Sequence, residues 1–88
     1  MTISVSVSAP GVSRAITFET TDECAKQVSI GHNPSASQDV DVIKMLSAAL
    51  IRAIDELPGT GPALRSKALA KTNVETGQMF AVKAIFQD

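Results

Sequence analysis

The stretch PALRSKALAKTNVETGQMFAVKAIF, residues 62–86, decides the fold of this chain. Its apolar residues recur at three- and four-residue steps, which is the period of an α-helix. They form two sectors separated by polar stripes. The larger sector comprises Leu69, Ala70, Val74, Gly77, Phe80, Ala81, Ala84 and Ile85, and the smaller comprises Leu64, Ala68, Met79, Val82 and Phe86. Because one partner helix covers about one sector, the second implies contact with a strand layer or with another subunit.

A second helical pattern precedes this one, over about residues 38–57. Its apolar stripe comprises Val40, Ile43, Leu46, Leu50, Ile54 and Leu57. Ser35 and Gln38 fit the S-x-x-Q capping box at the start of a helix. The sequence PGTGP, residues 58–62, ends the pattern, and Pro62 suits the first turn of the next helix. Residues 36–88 are therefore predicted to form an antiparallel helical hairpin.

The first thirty residues show the two-residue period of a half-buried strand. Val5 and its apolar neighbours alternate with serines and a threonine, and Ala9-Pro10-Gly11 breaks the pattern with a turn. A second strand follows, with Ile16 and Phe18 on one face. These two strands predict a β-hairpin, and residues 26–30 (KQVSI) suggest a third short strand. We expect an α+β fold over residues 1–88 as one domain, with the strands in residues 1–31.

The composition leaves few large side chains for a core. Hydrophobic residues make up 44% of the 88, but twelve of them are Ala, and aromatic residues are 3%. A chain of this size buries only about 60–65% of its unfolded surface. The domain is therefore expected to be either modestly stable or an oligomer that shares its core between copies. No run is long enough to predict a membrane span, and the N-terminus lacks the pattern of a signal peptide.

The polar residues give no pattern typical of an enzyme. Cys24 is the only cysteine and His32 the only histidine, so neither a disulfide nor a metal site is expected. A pairing of Cys24 with His32 as nucleophile and base is disfavoured by their eight-residue separation. Asp39 and Asp41 suit the first turn of a helix rather than acid–base catalysis. We expect no catalytic residues and no cofactor.

The charges are distributed unevenly along the chain. The net charge is −1, which argues against DNA or RNA as a partner. Residues 62–86 carry four basic residues and only Glu75 as an acid. A positive helix that begins at a Gly/Pro loop is a suitable place for an anion, because free backbone N–H groups add to the side-chain charge. The alternative is that these cations only keep exposed stripes soluble.

Residues 65–85, RSKALAKTNVETGQMFAVKAI, resemble the C-terminal helix of a phage family, the anti-CBASS and anti-Thoeris sponges, which sequester the cyclic-nucleotide signals of bacterial immunity. LIRAIDELP, residues 50–58, resembles the end of the partner helix and its turn. The matching positions are Arg65, Ala68, Leu69, Ala70, Thr72, Glu75, Met79, Ala81, Ala84 and Ile85. The departures are Asn73, Val74, Gly77 and Phe80, where Lys, Leu, Ala and Trp are common in the family.

The resemblance implies a homo-oligomer, commonly a hexamer, with ligand pockets between subunits. It implies binding without cleavage of a cyclic di- or trinucleotide or a cyclic ADP-ribose isomer, in the cytoplasm of the host cell and without a membrane. For this chain we assign Arg65 to a phosphate, because its planar fork can bind two oxygens. The other assigned residues are Lys71 and Arg52 for charge, Ser66, Thr72 and Asn73 for base or ribose hydrogen bonds, and Phe18, or an aromatic from a neighbouring copy, for stacking on a base.

Two other functions remain open from the sequence. A small phage structural or protein-interaction module would use its second apolar sector to bind a different protein. A DNA-binding helical hairpin is the weaker alternative, because the chain has no recognition helix dense in Arg and Lys.

Overall fold

The computed structural model describes residues 1–87 and contains a two-stranded sheet followed by three helices. The strands are β1 (Thr2–Ala9) and β2 (Val12–Glu19). The helices are α1 (Glu23–Gln27), α2 (Gln38–Asp55) and α3 (Pro62–Ile85). The predicted α+β class, with an N-terminal β-hairpin before a helical hairpin, is confirmed.

The two strands pair antiparallel, with Ile3 opposite Phe18. Two residues join them, and Gly11 adopts a φ of 84°, which a glycine tolerates without the clash of a Cβ atom. Ile3 and Phe18 are buried at the open end of the hairpin, whereas Val7 near the turn is exposed. The hairpin therefore packs on the rest of the chain at one end and extends its turn into solvent.

The suggested third strand over residues 26–30 is wrong. This segment contains the end of α1 followed by turns, in which Ile30 N–H donates to the Ala25 carbonyl. Cys24, Ala25 and Val28 are all buried. Their spacing places them on one side of a helical turn, so a helix buries three residues where a strand would bury only Val28 and Ile30.

The helices α2 and α3 are antiparallel, as predicted. Val40 near the start of α2 lines a cavity with Phe86 at the end of α3, while Asp55 at the end of α2 binds Lys71. The turn between the helices is tight at Gly59, where an added Cβ atom would lie 2.9 Å from the Ala63 Cβ. The helix α2 ends at Asp55, two residues before the predicted end.

The predicted capping box at Ser35 and Gln38 is wrong. The N-cap position of α2 is Ser37, and its side chain makes no capping hydrogen bond. Ser35 Oγ instead donates to Asn33 Oδ1 at 2.7 Å and accepts from the Ser37 N–H at 3.2 Å. These bonds shape the loop that leads into α2.

The hydrophobic core lies between the sheet, α1 and α2. Its buried residues are Ile3, Phe18, Cys24, Ala25, Val28, Ala48, Ala49 and Ile51. Of the apolar stripe predicted for α2, Val40 is buried, whereas Leu46, Leu50 and Leu57 are at least half exposed. The buried line of α2 instead follows Val40, Lys44, Ala48 and Ile51. The more apolar face of α2 is thus turned away from the core of the single chain.

The helix α3 covers α2 from outside the core. Within α3 only Gln78 is buried, and Val74 packs against the core as a half-buried residue. Both apolar sectors predicted for α3 remain largely exposed to solvent. The exposed side chains are Leu69 and Phe80 in the larger sector and Leu64, Met79 and Phe86 in the smaller. None of the helices within residues 1–87 has the length and apolarity needed to cross a membrane.

Candidate functional site

An exposed polar stripe runs along α3 and contains two of the predicted ligand residues. Arg65 and Thr72 are two helical turns apart, so they lie on the same face, and Thr76 and Lys83 continue that face. Arg65 and Lys83 form no ion pair with any residue in the described range 1–87. Their charges are therefore available to an anion that approaches α3 from solvent.

Ser66 and Asn73 lie on a neighbouring exposed stripe of α3. They too are seven residues apart and share one face of the helix. Neither side chain takes part in a hydrogen bond within residues 1–87. The hydroxyl of Ser66 and the amide of Asn73 can donate and accept hydrogen bonds, so together they suit a polar ligand edge.

Lys71 faces α2 rather than solvent. Its Nζ lies 2.6 Å from Asp55 Oδ1, with the Lys71 side chain 26% exposed. One turn earlier, Lys67 Nζ donates to the carbonyls of Asp55 at 3.1 Å and Leu57 at 2.7 Å, which satisfies acceptors at the C-terminus of α2. Both lysines thus hold the two helices together at the turn.

Arg52 is a residue of α2 and lies near two acidic side chains. Its Nε is 3.4 Å from Glu56 Oε1 and its Nη1 is 3.7 Å from Asp22 Oδ2. Glu56 is also bound by Arg14 of β2. The arrangement ties α2 to the sheet and to the start of α1, and it partly neutralises Arg52. Arg52 therefore lies apart from the exposed stripes of α3 that carry Arg65, Ser66, Thr72 and Asn73.

Phe18 is not available to stack on a base. The side chain is 2% exposed and belongs to the core between the sheet and α2. Phe80 is instead 65% exposed and lines a shallow groove of about 250 Å³ with Lys83, Thr76 and Met79. An exposed aromatic ring can stack on a base, and a cation beside it can attract the charged backbone of a nucleotide.

A second set of polar residues lies at the other end of the helix pair. Lys44 and Gln78 are 6% and 8% exposed and line an open cavity of about 400 Å³. The sequence analysis missed both residues. For Lys44 a signal was present, because it falls four residues after Val40 and four before Ala48, on a line that is otherwise buried and apolar.

Catalytic and metal chemistry gain no support from the described residues. Among residues 1–87 no group of three or more His, Cys, Asp or Glu side chains is placed to hold a metal ion. Burial raises the pKa of the Cys24 thiol, and the nearby Arg52 charge offsets this only in part. A raised pKa disfavours the thiolate, which is the nucleophilic form of cysteine.

One of three comparisons with known proteins found a match, and that match agrees with this architecture. Neither a search of curated proteins nor a search of solved structures found a match. A family model described as Acb2/Tad1, hairpin domain, matches residues 25–86. The matched range begins within α1 and ends just after α3, so it contains both long helices and every predicted ligand residue except Phe18. Because it covers more than half of the chain, the protein belongs to the Acb2/Tad1 family of anti-CBASS and anti-Thoeris sponges.

Proposed function

We propose that this chain binds and sequesters cyclic-nucleotide immune signals without cleaving them, and so inhibits bacterial anti-phage defence. The observation that carries the proposal is the family match over residues 25–86. The ligand class would be cyclic di- or trinucleotides or cyclic ADP-ribose isomers. The site of action would be the cytoplasm of the infected cell.

The exposed stripe of α3 supports this function. Arg65 is a guanidinium without an ion pair in the described chain, and Thr72 lies about 10 Å further along the same face of α3. A phosphate needs charge and hydrogen-bond donors in one place, and Arg supplies both through its fork. We assign Arg65 as the main phosphate ligand, with Thr72, Ser66 and Asn73 for hydrogen bonds to base or ribose.

Lys71 and Arg52 are secondary ligands in this proposal. Lys71 shares its charge with Asp55, and Arg52 shares its charge with two carboxylates. Exposed ion pairs of this kind contribute only about 0–1 kcal/mol, so a phosphate can compete for Lys71. Arg52 would have to compete with more acidic groups, and we expect its contribution to be smaller.

The exposed apolar face of α2 supports assembly of the chain into a homo-oligomer. This face consists of Val42, Leu46 and Leu50, and the exposed Leu57 lies two residues beyond the end of the helix. Its three large aliphatic residues repeat at four-residue steps, as on the packed face of an amphipathic helix. Together with the open sectors of α3 it offers apolar surface to further copies, and we propose a hexamer with ligand pockets between subunits.

The same apolar face also fits the alternative function, a phage structural or protein-interaction module. In that case the face would bind a different protein, and no cyclic nucleotide would bind to α3. The two functions differ in one measurable respect, which is whether the purified chain has a nucleotide ligand.

Thermal unfolding in the presence of cyclic nucleotides tests the proposal. The chain is first unfolded in guanidinium and refolded, which removes any ligand carried through purification. A ligand at a hundred times its dissociation constant adds about 2.7 kcal/mol to the free energy of unfolding. For a domain of this size that raises the melting temperature by roughly 10 °C or more. For each cyclic dinucleotide, the linear dinucleotide of the same composition is the matched control.

Two results would contradict the sponge function. The first is an unchanged melting temperature with every cyclic di- and trinucleotide and cyclic ADP-ribose isomer. The second is chemical conversion of the ligand, measured by chromatography after the complex has been heated to release it. Recovery of the ligand intact is expected of a sponge.

A further inference from the structure

The strand β1 has one edge that is not paired within the described part of the chain. The sheet contains two strands, so β1 pairs with β2 along one side only. Glu19 lies opposite Thr2, yet its N–H donates to Asp22 Oδ2 and not to β1. Backbone groups of successive strand residues point to opposite sides. The odd-numbered residues of β1 therefore bond to β2, and the even-numbered residues point their backbone groups away from it.

The free edge of β1 consists of the backbone groups of Ser4, Ser6 and Ser8. These three residues are exposed, and their outward N–H and C=O groups make no hydrogen bond within residues 1–87. Such a row of unpaired groups is a template for another strand, and proteins usually protect it with charged side chains, proline or a bulge. Thr2–Ala9 contains no charged residue and no proline, and its pairing with β2 has no bulge.

The edge of β2 is protected in two ways. The strand carries the charges of Arg14 and Glu19, and Arg14 is bound to Glu56 of α2. At its end the outward N–H of Glu19 is already taken by Asp22. The two edges of the sheet are therefore unequal, and β1 is the one that can accept a further strand along its whole length.

The half of the hairpin near its turn also lacks support from the single chain. Ile3, Val5 and Val7 share one face of β1, because side chains alternate along a strand. Ile3 is buried and Val5 half-buried, but Val7 is 46% exposed. A two-stranded hairpin without a third strand or a packed helix is marginally stable in water. A strand beside β1 would supply hydrogen bonds to this half and an apolar neighbour for Val7.

The sequence of β1 is complementary to itself. In an antiparallel pair formed at the free edge, outward-pointing residues face each other, so serine lies opposite serine and an apolar residue lies opposite an apolar residue. A two-fold axis at Val5 places Val5 opposite Val5 and Val7 opposite Ile3 of a second copy. This register pairs every residue from Thr2 to Ser8. It also brings the exposed Val7 beside the buried end of the other hairpin.

A symmetric contact is favoured over pairing of β1 with β2 of a further copy. The symmetric contact closes between two copies and leaves the protected β2 edges outside. Pairing of β1 with β2 would leave a free β1 edge after each addition and continue as an open filament. It would also require the Glu19 N–H, which Asp22 occupies.

We infer that β1 pairs antiparallel with β1 of a second copy about Val5, forming a four-stranded sheet in the order β2-β1-β1-β2. The family match begins at residue 25 and does not include the hairpin. The inference needs neither the proposed ligand nor the apolar face of α2.

Amide hydrogen exchange of the native chain, followed by NMR, tests whether the edge is paired. Ala15 and Thr17 are the matched controls, because they lie opposite Ser6 and Ser4 and point their N–H groups to the other edge of the sheet. After correction for intrinsic rates, we expect Ser4 and Ser6 to exchange at least about tenfold more slowly than the controls. Equal rates would show that the edge is free, as for the strand of a different protein, and would overturn the inference.

Oxidative cross-linking tests the register. Two Val5 residues at the axis would form a non-hydrogen-bonded pair with Cα atoms about 4.5 Å apart, a distance that a disulfide spans. Val5→Cys should therefore give a covalent dimer on a non-reducing gel. Val7→Cys is the control, because Val7 is the more exposed residue but its two copies would lie about 14 Å apart along the strands. The native chain, whose Cys24 is buried, gives the baseline.

Three results of the cross-linking would overturn the inference. They are the absence of a covalent dimer from a folded Val5→Cys chain, equal cross-linking of Val7→Cys, and a native chain that is monomeric at the concentration used. No ligand is added, so the outcome is independent of the sponge function. A Val5→Cys dimer from a chain that binds no cyclic nucleotide would support the strand pairing and refute the sponge.

Discussion

Leu50 and Ile51 are consecutive residues of α2, yet Ile51 is fully buried and Leu50 is 50% exposed. Ile51 packs in the core with the sheet and α1, whereas Leu50 belongs to the exposed apolar face with Val42 and Leu46. The helix therefore has two apolar faces, and a single chain covers only one. A soluble chain seldom leaves such a continuous apolar face open, because burying it against a partner is favourable.

Replacement of Leu50 by glutamate tests whether this face joins copies of the chain. Because a charge cannot be buried cheaply between apolar helices, Leu50→Glu should reduce the assembly to smaller species. Helix content should be retained, since Leu50 lies outside the core. Light scattering coupled to size-exclusion chromatography measures the mass, and circular dichroism checks the fold.

Gln38→Glu is the matched control for Leu50→Glu, because it adds the same charge to an exposed polar position of α2. It should leave the mass unchanged. An unaltered mass for the folded Leu50→Glu chain, or a native chain that is already monomeric, would contradict assembly through this face.

Arg65 and Arg52 allow a paired test of the phosphate assignment. Arg65 forms no ion pair in the described chain, and Arg52 is held by Asp22 and Glu56. Hydrogen bonds to charged groups contribute about 1.5–3 kcal/mol, so Arg65→Ala should weaken binding of a cyclic nucleotide by about 10- to 100-fold. Arg52→Ala should weaken it by less than about threefold. Isothermal titration calorimetry measures both affinities.

The melting temperatures of these two variants provide the control. Arg52→Ala should be the less stable, because its ion pairs link α2 to the loop before α1, whereas Arg65 contacts no charged partner. A reversed order of affinities, with Arg52→Ala the weaker binder, would move the phosphate site from α3 to α2.

The ion pair between Lys71 and Asp55 leads us to predict one substitution that strengthens ligand binding. If Lys71 contributes charge to the ligand, Asp55→Asn should release it and tighten binding by about two- to fivefold at low salt. Lys71→Met should weaken binding. Affinity measured with both variants and their combination gives the coupling between the two residues. An Asp55→Asn chain that binds no better than the native chain would show that Lys71 serves only the helix pair.

The sequence predicted the β-hairpin and the helical hairpin because their signals are local. Alternation around Val5, the Pro10-Gly11 turn and the helical period of residues 62–86 do not depend on distant contacts. The prediction of a third strand was wrong because the structure of that segment depends on contacts that are not local. Five residues of weak alternation could not reveal that Cys24, Ala25 and Val28 would be buried together by a helical turn.

The candidate site was harder to predict than the fold. The period of α2 located an apolar stripe but not the neighbour that would cover it, and the structure leaves Leu46 and Leu50 of that stripe exposed. Lys44 depends on carbonyls of Ser29 and His32, which the chain brings to it through a loop with Ser29 at a φ of 52°. No spacing rule anticipates such a contact. Phe18 was misassigned because an aromatic residue suits a core and a stacking site equally well by type.

Cys24 gives the chain a measurable dependence on pH. Because burial raises the pKa of its thiol, the folded state holds the proton to higher pH than the unfolded state, whose thiol titrates near about 8.5. The contribution to stability is complete below that pH and is lost as the pH rises toward the folded pKa. The free energy of unfolding should therefore fall as the pH rises above about 8.5, by no more than about 1.4 kcal/mol per pH unit. In the Cys24→Ala chain this fall should be absent, although the variant is less stable at every pH. Urea unfolding across the pH range measures both slopes, and equal slopes in the two chains would show that another group titrates.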